Sequence, residues 1–145
     1  KLDELVIEKC VPIIGICVGM QMMAKRSDEG VLPGLGWIDA EVKKFDSSLK
    51  VGRTKLPLPH MGWNDLVIDT PHPVFEGVET GDHTYFVHSY HFDVAKPAER
   101  LAHVDYAGDI TAIVGRDTML GMQFHPEKSQ QVGLRLISNF LAWTP

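Results

Sequence analysis

The sequence predicts an α/β fold with a smaller antiparallel part, and three patterns support this prediction. A short apolar run at residues 11–16 has the pattern of a strand buried on both faces, and a helical pattern follows it. Strand patterns separated by turn signals fill residues 101–125. The clearest helix spans residues 129–143. Helices beside buried parallel strands, with hairpin strands added, indicate an α/β domain with an antiparallel annex.

Length, composition and charge fit one globular domain that binds neither nucleic acid nor a membrane. The chain has 145 residues, of which 44% are apolar and 23% charged. Its net charge of −5 comes from 14 basic and 19 acidic side chains, and no basic run offers a nucleic-acid surface. No apolar stretch reaches the roughly 18 residues that a membrane-spanning helix needs. Two cysteines make a disulfide framework implausible, so we expect a reducing cytoplasm.

In the first half of the chain, helical patterns flank the buried strand and short strands follow. Apolar positions recur at helical spacing in residues 2–9, and residues 18–25 have the pattern of a helix that leaves the strand. A Pro-Gly turn signal marks residues 28–36 as a loop. Three weaker strand patterns come next, at residues 37–45, 53–58 and 65–69.

In the second half, an aromatic-rich strand within residues 82–94 precedes a series of three strands. The three are predicted at residues 101–107, 110–116 and 119–125. The final helix presents one apolar face, formed by Val132, Leu136, Phe140 and Trp143 and widened by Ile137 and Leu141.

The sequence G-I-C-V-G at residues 15–19 predicts a nucleophile elbow between the buried strand and the helix. Such a turn is sharp, so small flanking residues let the backbone fold back closely. The helix N-terminus favours the thiolate of Cys17, and the Val18 backbone N–H points at the oxyanion that attack would form. The alternative is that Cys17 is a buried structural thiol. Cys10 lacks comparable surroundings and is interpreted as a packing residue.

A nucleophilic cysteine needs a histidine held by a third group, and His125 is the histidine that best fits this role. Pro126 pushes His125 into the extended region, where side chains two residues apart point the same way. Glu127 can therefore hold the imidazole and stabilise its charged form. The preceding strand delivers the pair to a strand end, where α/β active sites lie. The alternative is that this His-Pro-Glu sequence is a surface turn.

His88 and His91 raise the separate possibility of a metal site. Residues three apart on a strand face opposite ways, and no neighbouring Cys, Asp or Glu cluster completes a ligand set. We therefore expect no metal site.

Across nearly its whole length the chain resembles the class I glutamine amidotransferases. The runs G-I-C-V-G-M-Q at residues 15–21 and F-H-P-E at residues 124–127 match the two family signatures. The resemblance implies a three-layer, flavodoxin-like α/β fold with a mainly parallel central sheet and a small antiparallel sheet. It also implies a catalytic triad of Cys17, His125 and Glu127 that hydrolyses glutamine through a cysteinyl thioester, without a cofactor.

Three further stretches resemble the imidazole glycerol phosphate synthase branch of that family, at residues 60–64, 85–90 and 127–130. In that branch ammonia passes to a (β/α)₈-barrel cyclase in histidine biosynthesis, so the resemblance implies a heterodimer. It assigns substrate binding to Val18, Gly19, Gln21, Ser89 and Tyr90. It assigns the partner interface to His60, Met61, Trp63, Asn64 and Lys128. The alternatives are core packing for Trp63, a solvated charge for Lys128 and a satisfied strand hydroxyl for Ser89.

The resemblance further implies that residues 1–145 are one amidotransferase domain, incomplete at its N-terminus. The family carries its first sheet strands and a glycine-rich oxyanion segment before the position that corresponds to Lys1. Neither is present in this sequence, so either the chain is a fragment or the remainder lies outside this sequence. If the segment is absent from the protein, we expect exposed sheet edges and one oxyanion donor fewer.

Three other functions stay open on the sequence alone. Another hydrolase with a cysteine elbow would share the nucleophile, but that hypothesis does not explain Gln21 or the His-Pro-Glu sequence. A sister amidotransferase, serving anthranilate, guanylate or carbamoyl phosphate synthesis, would share the triad. A non-catalytic fragment that only binds the cyclase would share the interface.

Overall fold

Twelve β-strands form four sheets in the computed structural model, which describes residues 1–145. In chain order the strands are β1 (Ile13–Ile16), β2 (Arg26–Ser27), β3 (Ala40–Lys44), β4 (Lys50–Val51), β5 (Thr54–Lys55), β6 (His60–Asp65), β7 (Val67–Ile68), β8 (His83–His88), β9 (Tyr90–Val94), β10 (Arg100–Asp105), β11 (Asp109–Arg116) and β12 (Met119–Met122). The α-helices are α1 (Val18–Gln21) and α2 (Gln130–Ala142), a π-helix spans Glu4–Glu8, and 3₁₀ turns span Pro73–Phe75, Pro97–Glu99 and Pro126–Lys128. None of these helices is long and apolar enough to cross a membrane.

The largest sheet has five strands in the order β1-β12-β11-β10-β7. Its one parallel pairing joins β1 to β12, with Ile16 opposite Met122, and its other pairings are antiparallel. The predicted α/β class is confirmed, but in this chain the sheet is mixed rather than mainly parallel. The reason is that short turns join β10 to β11 and β11 to β12, and a short turn connects only antiparallel strands.

The remaining strands form three smaller sheets. Strand β3 pairs with β2 and β9, and β6 pairs with β8 along its whole length, from His60 opposite His88 to Asp65 opposite His83. Strands β8 and β9 are separated only by Ser89, so the chain crosses from one small sheet to another at that residue. Of the strand predicted at residues 53–58, only Thr54–Lys55 is a strand, β5, which forms a short hairpin with β4.

Two apolar cores lie on opposite sides of the largest sheet. Ile113 and Val114 are neighbours on β11 but belong to different cores, because successive strand residues face opposite ways. Met119 and Leu120 on β12 divide in the same manner. The larger core includes the fully buried Leu136 of α2. Strand β12 is thus buried along its whole length, which fixes the segment that follows it.

The helix predicted at residues 18–25 ends at Gln21, because the following carbonyl groups have other partners. The carbonyls of residues 22–24 accept hydrogen bonds from backbone N–H groups in residues 35–38. These bonds replace the bonds to residues four positions ahead that a longer helix would need. Gly34 makes this close approach possible, since a Cβ there would lie 1.9 Å from the Ala24 carbonyl oxygen.

The predicted apolar face of the last helix is correct except at Leu141. That side chain is 76% exposed, whereas Leu136 is fully buried. At about 100° per residue, Leu141 lies about 140° around the helix axis from Leu136, so it points away from the core.

Candidate active site

Cys17 occupies a strained turn between β1 and α1. Its backbone angles are φ 53° and ψ −110°, which a residue with a side chain rarely adopts. The Cys17 N–H donates to the Met122 carbonyl at 2.7 Å, which fixes the turn against β12. A Cβ on Gly15 would lie 2.6 Å from the backbone of Gly19, so only glycine fits before the turn. These features are the geometry that the G-I-C-V-G sequence predicted.

The surroundings of the Cys17 thiol favour its protonated form. Burial raises the pKa of the thiol, and the charges of Glu127 and Glu29 raise it further, while the Val18 backbone N–H lowers it. The Val18 N–H at the start of α1 acts in the predicted direction by lowering the thiol pKa, but α1 has only four residues and burial outweighs this single hydrogen bond.

His125 and Glu127 form a hydrogen-bonded pair immediately beyond β12. The Nδ1 atom of His125 lies 2.7 Å from the Oε1 atom of Glu127. Burial acts to raise the pKa of Glu127, but the hydrogen bond from His125 and nearby positive charge hold that pKa below its ordinary value. The Nε2 atom of the His125 ring has no hydrogen-bond partner within the chain and is free to exchange a proton.

Ser129 holds the His125 backbone in place, although the sequence analysis did not identify it. Its hydroxyl donates to the His125 carbonyl at 2.7 Å and accepts from the Tyr85 N–H at 3.0 Å. The His125 N–H in turn donates to the Tyr85 carbonyl at 2.9 Å. Ser129 is 1% exposed, so these bonds are shielded from water.

Cys17 and the His125–Glu127 pair lie at the same edge of the largest sheet. Cys17 directly follows β1, and His125 comes three residues after the adjacent parallel strand β12. Carboxyl ends of parallel neighbours lie at the same edge, which is where α/β proteins place their active sites. The charge of Glu127 acts on the Cys17 thiol, which is consistent with their proximity.

A cavity of about 330 Å³ opens beside Cys17. Its lining includes four of the five predicted substrate-binding residues, which are Val18, Gln21, Ser89 and Tyr90. Gly19 does not line it. The lining residues that the sequence analysis missed are Glu29, Pro59, Val87 and His88. Glu29 lies in a predicted loop that contains no motif, so its place in the cavity lining follows only from the folded backbone.

Gln21 is mostly buried, and its side-chain amide is used inside the protein. The Nε2 atom donates to the Tyr90 carbonyl at 3.3 Å and to the Gln123 Oε1 atom at 3.0 Å. Gln123 is fully buried, and its own Nε2 lies 3.8 Å from the Cys17 sulfur. The structure therefore connects Gln21 to Cys17 through Gln123, which lies just before the second signature.

Cys10 lies apart from this cavity. It is exposed, and it lines a different cavity of about 550 Å³ that also contacts Trp37 and Arg116. The interpretation of Cys10 as a packing residue is wrong, because its side chain faces solvent.

The predicted interface residues divide into exposed and buried groups. Met61 is 61% exposed and Trp63 is 50% exposed, both on β6, and Lys128 is exposed next to Glu127. Asn64 is half-buried and donates to the Asp105 carbonyl at 3.0 Å. His60 is 3% exposed, so its predicted position on this surface is wrong. Alternation along β6 explains the difference, because His60 faces the opposite side from Met61.

No group of three His, Cys, Asp or Glu side chains is arranged to hold a metal ion. His88 and His91 lie on different strands of different sheets. The groups that the site offers for chemistry are the Cys17 thiol, the His125 imidazole and the Glu127 carboxylate.

Comparison with known proteins points to one family. A family model described as glutamine amidotransferase class-I matches residues 1–143. The imidazole glycerol phosphate synthase subunit HisH of Cereibacter sphaeroides is 61% identical over 145 residues, and that of Ruegeria pomeroyi is 59% identical over 143 residues. These alignments cover 99% and 98% of this chain, and 66% of each relative. The chain thus spans about two thirds of the length of these relatives.

Solved structures share the fold. A glutamine amidotransferase from Thermotoga maritima superposes with a TM-score of 0.62 at 19% identity, covering 97% of this chain and 51% of that chain. Another glutamine amidotransferase gives a TM-score of 0.68 at 25% identity, covering 97% of this chain and 65% of the other.

Proposed function

The chain belongs to the class I glutamine amidotransferase family, and we propose that it hydrolyses the side-chain amide of glutamine to glutamate and ammonia. One observation carries the proposal. The strained Cys17 turn after β1 and the hydrogen-bonded His125–Glu127 pair after β12 lie at the same sheet edge. Together they supply a nucleophile, a base and a group that orients the base.

In the first half of the reaction, Cys17 attacks the side-chain carbonyl carbon of glutamine. Its thiol proton passes to His125, and the Val18 N–H donates to the oxyanion that develops on the carbonyl oxygen. The C–N bond then breaks, and the nitrogen takes the proton from His125 and leaves as ammonia. A γ-glutamyl thioester remains on Cys17. The raised thiol pKa suits this sequence, because the proton stays on sulfur until His125 accepts it.

In the second half, water hydrolyses the thioester. His125 removes a proton from the water as it attacks, and that proton returns to the departing sulfur of Cys17. Glutamate is released and the thiol is restored. Glu127 stabilises the imidazolium that forms in each half of the reaction.

We propose that the cavity beside Cys17 holds the amino-acid end of glutamine. The Glu29 carboxylate suits the α-ammonium group by its charge. Ser89 and Tyr90, at the crossing from β8 to β9, suit the α-carboxylate. The side-chain amide of the substrate would then point to the sulfur.

We also propose that the ammonia passes to a (β/α)₈-barrel cyclase subunit, which makes imidazole glycerol phosphate in histidine biosynthesis. The relatives are named as a subunit of imidazole glycerol phosphate synthase, which supports a second subunit as partner. The exposed apolar side chains Met61 and Trp63, with Lys128, offer a surface suited to a heterodimer. A working thiol nucleophile and two unpaired cysteines fit a reducing compartment such as the cytoplasm.

To test the activity, the protein is incubated with its cyclase and glutamine. The release of glutamate and of ammonia is measured in the same reaction. An ester and a peptide substrate serve as comparisons for another cysteine hydrolase. We expect glutamine to be the preferred substrate and Cys17→Ala to abolish its turnover. Cys10→Ala is the matched control and should retain turnover. Hydrolysis of the ester or peptide without glutamine hydrolysis would contradict the proposal.

A further inference from the structure

Two buried histidines lie at the candidate site, where His88 lines the cavity beside Cys17 and His60 lies behind it, and the proposed reaction uses neither. His60 is 3% exposed and His88 is 6% exposed. The Nδ1 atom of His60 lies 2.9 Å from the Nε2 atom of His88. The His60 ring is stacked between Phe86 and Tyr106, with ring centroids 4.7 Å and 3.9 Å away. This pair is therefore held rigidly within the core.

The hydrogen bonds of the pair run in one direction. The His88 Nδ1 atom lies 2.7 Å from the Tyr90 carbonyl oxygen, so Nδ1 must carry the proton and donate. In a neutral ring the His88 Nε2 atom then accepts, and His60 Nδ1 must be its donor. The His60 Nε2 atom accepts from the Asn64 amide at 3.3 Å. Each ring thus has one defined tautomer.

Both rings are neutral near neutral pH, because burial lowers their pKa values. Burial lowers the pKa of His60 to about 3, and the neighbouring His88 adds to this effect. Burial lowers the pKa of His88 to about 4, against the opposing effect of the Tyr90 carbonyl. The pair therefore acts as a fixed set of donors and acceptors at the pH of the reaction.

The chain of hydrogen bonds continues to the nucleophile. The Tyr90 carbonyl that accepts from His88 also accepts from Gln21 Nε2 at 3.3 Å. Gln21 donates to Gln123 at 3.0 Å, and the Gln123 amide lies 3.8 Å from the Cys17 sulfur. All the side chains between Asn64 and Cys17 in this series are buried. Networks of this kind hold their members in a single arrangement.

We propose that His88, oriented by His60, is a positioning residue. Its Nδ1–H fixes the Tyr90 carbonyl, and that carbonyl fixes the Gln21 and Gln123 amides beside the Cys17 sulfur. An effect of His88 on glutamine turnover rests on the proposed glutaminase function, whereas an effect of His88 on the reactivity of the Cys17 thiol does not. A merely structural pair would affect the stability of the fold without affecting the reactivity of Cys17 in the folded protein.

The test uses two substitutions that keep different atoms of the His88 ring. In His88→Asn, the side-chain amide nitrogen takes the position of Nδ1 and can still donate to the Tyr90 carbonyl. In His88→Gln, the amide takes the position of Nε2 and the donor to Tyr90 is lost. His83→Gln, an exposed histidine on the same strand, is the control. Circular dichroism and thermal unfolding confirm that each variant is folded.

The main readout is the rate at which iodoacetamide labels Cys17, divided by the rate for the exposed Cys10 in the same molecule. We expect His88→Gln to change this ratio about tenfold, and to lower kcat for glutamine more than it raises KM. A displacement of about 1 Å at a reacting group has effects of this order or greater. His88→Asn should stay close to the unmodified protein in both readouts.

Two outcomes would overturn the proposal. One is a labelling ratio and kcat in His88→Gln equal to those of the unmodified protein. The other is an equal change in His88→Asn and His88→Gln, which would indicate packing alone. If His88→Gln does not fold, His60→Gln and His60→Asn form a second pair with the same logic, since only Asn keeps the donor to His88.

The experiment also separates this proposal from the proposed function. If the protein does not hydrolyse glutamine but the labelling ratio differs between the two variants, the positioning role stands and the glutaminase assignment fails. If glutamine is hydrolysed and the variants are indistinguishable, the glutaminase assignment stands and the positioning role fails.

Discussion

The Nδ1 atom of His125 is hydrogen-bonded to the Oε1 atom of Glu127 at 2.7 Å, which leaves the opposite ring nitrogen free. The Glu127→Gln variant keeps the shape of this contact but removes the negative charge that stabilises an imidazolium. We expect kcat for glutamine to fall about tenfold to a thousandfold, less than on loss of His125. Steady-state glutamate release measures this, with the exposed Glu79→Gln as control. Equal turnover in Glu127→Gln and the unmodified protein would mean that Glu127 is only a surface carboxylate.

Two glycines of the elbow make a matched pair for stability. A Cβ at Gly15 would lie 2.6 Å from the Gly19 backbone, whereas a Cβ at Gly19 would meet nothing within 4 Å. We expect Gly15→Ala to lower the free energy of unfolding by roughly 1–3 kcal/mol, because rigid backbone cannot move aside easily. Gly19→Ala should change it by less than about 0.5 kcal/mol. Urea unfolding measures both, and equal effects at the two positions would contradict the elbow geometry.

The buried histidine pair predicts a loss of stability in mild acid. Burial lowers the pKa of His60 to about 3 and that of His88 to about 4, whereas both titrate near 6.5 in an unfolded chain. Between these values the unfolded chain binds more protons, so the free energy of unfolding decreases as the pH falls below about 6.5. The slope is up to about 1.4 kcal/mol per pH unit for each ring.

Urea unfolding at pH 7 and at pH 5 measures this slope. His60→Gln should lose less stability between the two pH values than the unmodified protein, because one titrating ring is gone. The exposed His83→Gln is the control and should keep the original slope. A slope that His60→Gln leaves unchanged would show that His60 does not contribute.

We predict that the exposed side chains on β6 affect how glutamine hydrolysis responds to the proposed cyclase. Trp63 is 50% exposed and packs edge-on against Tyr85, and Tyr85 bonds both to Ser129 and to the backbone of His125. A contact at Trp63 therefore has a short route through Tyr85 to His125. We expect Trp63→Ala or Lys128→Ala to change ligand-stimulated turnover, or its coupling to ring closure, more than it changes the KM for glutamine.

Assays with and without the cyclase and its nucleotide ligand measure this coupling. The exposed Leu141→Ala, on α2, is the control and should behave as the unmodified protein does. If the cyclase stimulates glutamine hydrolysis in the Trp63 and Lys128 variants as strongly as in the unmodified protein, this surface has no role in coupling.

The elements that the sequence predicted well are those fixed by local pattern. The strand before Cys17, the sharp turn and the final helix each depend on a short run of residues whose spacing or size allows one structure. The strand itself is half-buried at the edge of its sheet, so the prediction that it is buried on both faces is wrong. The His125–Glu127 contact was also predictable locally, since only Pro126 lies between the partners and restricts the backbone. His125 is extended as predicted, but a 3₁₀ turn begins at Pro126 in place of a continued extended segment.

The features that the sequence did not reveal depend on contacts between distant residues. Gln123 meets Gln21 across 102 positions, and His60 meets His88 across 28. The short length of α1 depends on N–H groups that arrive from residues 35–38. The burial of His60 depends on the pairing of β6 with β8, which decides the face that turns inward. No local pattern encodes these partners.

The central claim is that Cys17 carries the γ-glutamyl group of glutamine, and mass spectrometry of acid-quenched reactions tests it most directly. The protein, with its cyclase and ligand, is mixed with glutamine, quenched and digested, and the peptides that contain Cys17 and Cys10 are compared. We predict a γ-glutamyl adduct on the Cys17 peptide that disappears in Cys17→Ala together with glutamate release. An adduct on Cys10, or undiminished glutamine turnover in Cys17→Ala, would contradict the account.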